Sequence, residues 1–375
     1  MNSRKVVVYS GSGYPGLGLI RCLGEAGYRP ECYCYGDTSG FMLISKYVSK
    51  KKLFKNAKEV LDYLLNNYPC YKEKPILFTF PDLPAYYVDQ HLDQLKDKFI
   101  LMSAGKQGEL GKWMDKRVMA RIAEKHGLTL PWTIELSKDE PIPDNIPYPV
   151  FTKSIRSIDG GKSDEGICRN KEELERKRAQ IVSDRLLVTE YIKKKLEIDY
   201  YGITVKGKTY IDFHDEIPRF PEDSFGFYAY FKRNQEDEIC RKCVAMMEEI
   251  GYDGLFDVEF LLGENGTYYF MEINFRVDGS LYKLSPGVNL PAEWCRLVDV
   301  EKENLPETLQ IKKESFTSMT ELSDFKVSVL SGQVNVFRWL WELCTTDKLF
   351  LFNLKDLLPA FVLVWDLLSG KFRNV

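Results

Sequence analysis

Three oxygen-bearing side chains in FDVEFLLGENGTYYFMEINFR, residues 256–276, have the types and the spacing to hold a hard cation. Asn265 and Gly266 read as the turn of a β-hairpin, which puts Glu259 on the first strand and Glu272 and Asn274 on the second. Side chains two apart on a strand share a face, so Glu272 and Asn274 point the same way. Such oxygens suit Mg²⁺, which takes few protein ligands and completes its octahedron with water and nucleotide phosphates. An E-x-N alone is common on half-buried strands. Its meaning depends on what surrounds it.

The elements that must position this trio begin with an alternation of strand and helix. Over the first hundred residues KVVVYS, RPECYCYG and PILFTF are apolar strand candidates, separated by GLIRCLGEAG and AKEVLDYLLNNY, the pattern of a small parallel α/β layer. The first turn, GSGYPGLG, spaces Gly11, Gly13 and Gly16 as G-x-G-x-x-G. Those glycines let a pyrophosphate approach a helix N-terminus, yet any parallel α/β unit needs a comparable turn. Glu31 and Asp37 fall near the place of a ribose-binding acid, an offset easily met by chance.

Further on, GKWMDKRVMARIAEKHG reads as a helix ended by Gly127, and Pro131 opens an extended segment. Residues 149–213 are rich in strands, with one helix around KEELERKRAQIV and a polar glycine loop, RSIDGGKSDEG, suited to a flap. The segment 211–233 carries aromatics with Arg219 and Arg233, as would a pocket for an acidic or amino-acid substrate or a structural loop packed by Phe and Tyr. His214 beside Asp215 is equally ambiguous.

Composition limits the function classes. With 375 residues, 44% hydrophobic and 29% charged, the chain is long enough for two or three folded domains. A net charge of −3, from 52 basic and 55 acidic residues, makes no electrostatic case for nucleic-acid binding. The start MNSRKVVVYS lacks a secretory signal pattern, so the cytoplasm is the expected compartment. Nine irregularly spaced cysteines read as reduced thiols, and Cys240 and Cys243 as packed thiols on a helix. Past about 310 the pattern is helical. Lys355, Asp356, Asp366 and Pro359 interrupt its apolar run, so no transmembrane span is expected; a helix packed on the body, or an interfacial helix, is.

Taken in order, these features resemble the ATP-grasp superfamily over nearly the whole chain. MDKRVMARIAEKHGLTLPW is similar to the helix that opens that fold in D-alanine:D-alanine ligase and biotin carboxylase, which makes Lys116 a nucleotide-phosphate lysine. YPVFTKSIRSIDGGKSDEG resembles the segment with the second phosphate lysine, here Lys153, and the flap over the triphosphate. LLVTEYIKKKLEIDYYGI resembles the hinge, implying Glu190, Tyr191 and Ile192 at the adenine and Glu197 at the ribose. VEF followed by MEINFR resembles the metal-binding strands, making Glu259, Glu272 and Asn274 Mg²⁺ ligands, with Arg276 steadying an acyl phosphate. Ser154 and Phe275 stand where prolines are usual.

The resemblance implies an ATP-grasp fold (α/β plus α+β). A Rossmann-like pre-ATP-grasp domain would span residues 1–105, the ATP-grasp domain 106–310 with a lid at about 149–190, and a helical extension 311–375. It implies ATP and Mg²⁺, or Mn²⁺ in its place, as cofactors. The activity implied is a carboxylate-amine ligase acting through an acyl phosphate, loosely like D-aspartate ligase, with Lys153 and Arg276 catalytic. An ATP-dependent carboxylase and a non-catalytic ATP-binding scaffold are the rivals. Small carboxylate and amine substrates are the expected partners; a peripheral membrane contact through the tail and a homodimer stay open. In this setting GSGYPGLG lines a substrate cleft and need not bind NAD.

Overall fold

The computed structural model describes residues 4–369 apart from 12, 37–39, 161–163, 222–224 and 236, so Asp37 and part of the expected flap lie outside the described residues. Strands β1 (Val6–Gly11), β2 (Glu31–Tyr35), β3 (Lys50–Phe54), β4 (Ile76–Phe80) and β5 (Ile100–Leu101) form a parallel sheet in the order β3-β2-β1-β4-β5. β1 reads VVVYSG and is buried along nearly its whole length, as a central parallel strand covered on both faces must be. The helix Tyr14–Glu25 follows it directly, with Pro15 in its first turn.

The stretch expected as one helix from residue 111 is two, Glu109–Trp113 and Lys116–Lys125. Asp115 causes the break: its carboxylate accepts the backbone N–H of Arg117 at 2.8 Å and restarts the helix there. Gly127, at φ +71°, ends it. β6 (Thr133–Ser137), β7 (Val150–Ser154), β8 (Gly166–Cys168) and β9 (Arg185–Glu190) build an antiparallel sheet ordered β6-β9-β7-β8, with the helix Lys171–Gln180. This layer has a small core of its own, including Leu136, Val150, Leu174 and Val188.

β10 (Lys194–Val205), β11 (Lys208–Ile217), β12 (Tyr228–Arg233), β13 (Gly254–Gly263), β14 (Tyr268–Asn274), β15 (Ser315–Met319) and β16 (Lys348–Leu349) form a seven-stranded sheet, β14-β13-β10-β11-β12-β15-β16. β13 and β14 are the expected hairpin, and Gly266 takes φ +81° in its turn. The expectation of an all-helical chain past 310 is corrected here. Val336–Thr345 and Leu358–Leu368 are helices, but Ser315–Met319 pairs with β12 and Lys348–Leu349 with β15. β12 would otherwise be an edge strand with open hydrogen-bonding groups, and β15 covers it. The tail also joins the main core through Phe350, Leu351, Ala360 and Leu363.

Candidate active site

A cleft of about 570 Å³ opens between the β6–β9 layer and the seven-stranded sheet. Eight residues expected from the sequence line it: Lys116, Lys153, Glu190, Tyr191, Ile192, Glu197, Glu259 and Glu272. Asn274 and Arg276 do not line the cleft itself. Asn274 bounds a small adjoining recess together with Lys116 and Glu272, and its side-chain oxygen accepts from Arg276 at 2.8 Å.

The carboxylate end is set by strand register. Glu259 on β13 stands directly opposite Glu272 on β14, and on its other side opposite Asp199 on β10, which is opposite Asp215 on β11. Four carboxylates thus form one row across four neighbouring strands. Like charges directly opposite destabilise a sheet unless cations or protons intervene. Burial, then Glu272, pushes the Glu259 carboxyl up to about 8. Burial, then Asp215, holds Asp199 well above the usual carboxylate range, and burial lifts Asp215 to about 7 against the pull of Lys283.

Glu272 behaves oppositely. Burial works against its ionisation, but Lys116, Lys153 and Arg276 outweigh it and hold the carboxyl low. Lys116 donates to Glu272 and lies 3.3 Å from Ser157 Oγ. Lys153, on β7, lies near Lys116; burial and the Lys116 charge bring its ammonium down to about 8. Two cations and two carboxylates therefore meet where a polyphosphate would need its charge balanced.

The donors suit a hard divalent cation. Glu259 and Glu272 are hard oxygen donors in an unfavourable like-charge pair that such a cation would relieve. Asn274 turns its NH₂ to Glu259 (2.6 Å) and Asp257 (2.9 Å), so its amide must rotate before its oxygen can serve. Arg276 is spread over Asp82 (3.0 Å), Asp278 (3.4 Å) and Asn274, which makes it a brace for this wall.

The cleft also has an apolar lining, Ile192, Phe227, Phe260, Leu261 and Met271, with Glu190, Lys194 and Glu197 beside it. Backbone bonds hold the hinge: Glu190 N–H donates to Trp132 O at 2.7 Å and Tyr191 N–H to Pro149 O at 3.2 Å. Glu197 accepts from Lys194 Nζ at 2.6 Å and from Gly226 N–H at 2.9 Å.

The glycine turn reaches the cleft through Tyr14 and Pro15. The space beside its third glycine is already filled, since a Cβ on Gly16 would lie 2.7 Å from Met42 Sδ. The third glycine thus serves close packing of the helix, the role it has in any such turn. Arg219 lies buried in ion pairs with Asp324 (2.6 Å) and Glu342, and Arg233 pairs with Glu314 at 2.8 Å, so both arginines brace the structure; among the described residues of this segment, Ile217, Phe225, Gly226 and Phe227 line the cleft. His214 and Asp215 do not form a pair: His214 meets Asn234, while Asp215 accepts from Tyr201. Sequence reasoning missed Asp199, Asp278 and Lys283 as cleft residues. The EID triplet that carries Glu197 also carries Asp199 on the same strand face, the one signal that was there to read.

Comparison with known proteins agrees with this geometry. Residues 229–292 match the family described as the carbamoyl-phosphate synthase L chain, ATP binding domain, a stretch that contains Glu259, Glu272, Asn274 and Arg276. No curated protein matches the sequence. Among solved structures, N5-carboxyaminoimidazole synthetase from Staphylococcus aureus complexed with ADP superposes at a TM-score of 0.65 with 14% identity, covering 86% of this chain and 84% of that one. L-amino acid ligase from Bacillus licheniformis gives 0.61 and 13%, covering 80% and 74%. The biotin carboxylase domain of Hydrogenobacter thermophilus 2-oxoglutarate carboxylase, complexed with MgADP, ADP and bicarbonate, gives 0.62 and 19%, covering 81% and 71%. The chain has the ATP-grasp fold.

Proposed function

We propose that this chain is an ATP-dependent ligase that joins a carboxylate to an amine through an acyl phosphate and releases ADP and phosphate. The observation that carries the reading is the convergence of Lys116, Lys153, Glu259 and Glu272 in one cleft that also carries apolar lining such as Ile192 and Leu261. Nucleotide phosphates would lie at the charged groups and the base against Ile192 and Leu261. Lys116 and Lys153 would balance the negative charge that spreads over a transferring phosphoryl group. Glu259, Glu272 and, after its amide turns, Asn274 would hold Mg²⁺, which when bound neutralises phosphate charge.

In this reading a carboxylate oxygen of the first substrate attacks the γ-phosphorus, the bond to the β,γ-bridging oxygen breaks, and ADP leaves. The amine nitrogen then attacks the acyl carbon, loses a proton, and phosphate departs. Asp199, Asp278 and Lys283 add polar groups to the cleft that would orient a polar acceptor. Tyr14, Pro15, Phe350 and the β6–β9 layer would keep water from the acyl phosphate.

The carboxylase reading uses the same phosphoryl transfer with bicarbonate as the acceptor, and two of the three similar structures described above are named for such reactions. Incubation with ATP, Mg²⁺, hydroxylamine and candidate carboxylates, with nucleotides separated by chromatography, tests the proposal. ADP with a trapped hydroxamate is expected. AMP with pyrophosphate overturns it, and ADP release that needs only bicarbonate favours the carboxylase.

A further inference from the structure

The two C-terminal helices carry their apolar stripes outward. In Val336–Thr345 the residues turned to solvent include Phe337, Leu340, Trp341 and Cys344, at the three- and four-residue spacing of one helix face, while Trp339 and Glu342 face the body. Leu358–Leu368 repeats the arrangement, with Leu358, Phe361, Trp365 and Leu368 outside and Ala360, Leu363 and Asp366 inside. A stripe of this period ordinarily faces a core. Polar locks fix the inversion: Glu342 takes Arg219 and Arg338, and Asp356 takes Arg21, Ser45 and the Lys46 backbone N–H.

We propose that these outward stripes seat the protein on the surface of a lipid bilayer bearing anionic headgroups, without crossing it. Among the described residues no helix is long and apolar enough to cross a membrane. The side chains stand out as knobs: Leu354 is 90% exposed, Phe337 82%, Trp341 70% and Trp365 68%. Acyl chains close around isolated knobs, whereas a folded partner would need a recess cut to each. Trp and Phe are also the residues that settle at the headgroup boundary.

Charge points the same way. The acids Glu342, Asp356 and Asp366 are turned inward, and Asp347 is closed onto Lys313 and Thr317. Lys355 is exposed next to Leu354, and Arg338, next to Phe337, is exposed while donating to the buried Glu342. A surface that withdraws its acids and presents its bases around exposed Trp and Phe complements anionic lipid and not a neutral protein patch. The tail reaches the cleft through Phe350, and the exposed Phe352 and Leu354 follow it two and four residues further along the chain.

Sedimentation of the full chain with vesicles of phosphatidylcholine alone, or mixed with phosphatidylglycerol, tests this. Binding to the mixed vesicles is expected, weakened by salt, and at least about tenfold weaker for Trp341→Glu/Trp365→Glu. The double variant should keep the parent's circular dichroism and Mg·ATP binding; if it does not fold, Phe337→Ser/Leu354→Ser takes its place. Failure to sediment with either vesicle overturns the proposal. So does a dimer, measured by light scattering, that these substitutions dissociate while vesicle binding is unchanged.

Discussion

Glu259 faces Glu272 only because a bulge lies between Glu259 and Phe260. From the Asn265–Gly266 turn the pairing runs Leu262 with Tyr268, Leu261 with Tyr269 and Phe260 with Phe270, a register that would set Glu259 against Met271. The extra residue on β14 moves Glu272 into that place. A bulge that re-aims a side chain is a recurrent device beside active sites. Here it turns one carboxylate into a facing pair, with Lys116 bonded to Glu272.

Glu272→Gln keeps the shape of that pair and removes one negative charge. Turnover should fall by about a hundredfold or more, the scale of losing one strong electrostatic contact to the transition state, with a smaller loss in ATP affinity. Steady-state kinetics with isothermal calorimetry separates the two effects. Unchanged turnover would leave β14 as no more than a strand.

Lys153 makes nucleotide binding sensitive to alkali. Burial and Lys116 lower its ammonium to about 8, so it is charged below that pH and loses its charge as the pH rises through it. ADP affinity should therefore fall by up to about tenfold between pH 7 and pH 9. Lys153→Arg, which stays charged, should flatten the decline. A wild-type affinity that does not change over this range would contradict the placement of Lys153 at the phosphates.

Calorimetry with NADH should give no binding, and with Mg·ATP should give clear binding. The cleft offers the paired lysines Lys116 and Lys153 for a triphosphate, whereas the glycine turn contributes only Tyr14 and Pro15 to it. NADH binding in the absence of any ATP binding would reverse this assignment.

The tail is fastened to the parallel sheet's first helix by a buried ion pair. Arg21 donates to Asp356 Oδ2 at 3.1 Å, to Asp356 O at 2.7 Å and to Phe350 O, and both side chains are almost wholly buried. Arg21→Met leaves the buried Asp356 charge with only the Ser45 hydroxyl and the Lys46 N–H and should cost about 3 kcal/mol, read as a lower urea midpoint. An unaltered midpoint would show that the tail packs without this lock.

Much of the site was legible in the chain because it is local. Turn residues, two-residue alternation and helix stops act over a few positions, so the hairpin with its E-x-N and the helix ended by Gly127 could be read from spacing alone. The same short range hid the rest. Counted from the turn at Gly207, Asp199 would pair with His214; a bulge between Tyr201 and Ile203 brings Asp215 there instead and completes the row of four carboxylates. Arg219 read equally well as a substrate ligand until Asp324 and Glu342, more than a hundred residues away, were seen to claim it. Period gives a helix its apolar stripe but not the direction of that stripe. In Val336–Thr345 and Leu358–Leu368 the buried acids Glu342 and Asp366 sit on the opposite face and turn inward, so only the tertiary structure decided that the Trp and Phe side chains face out, since a one-residue shift in register or a distant ion pair reverses a face at no cost visible in local sequence.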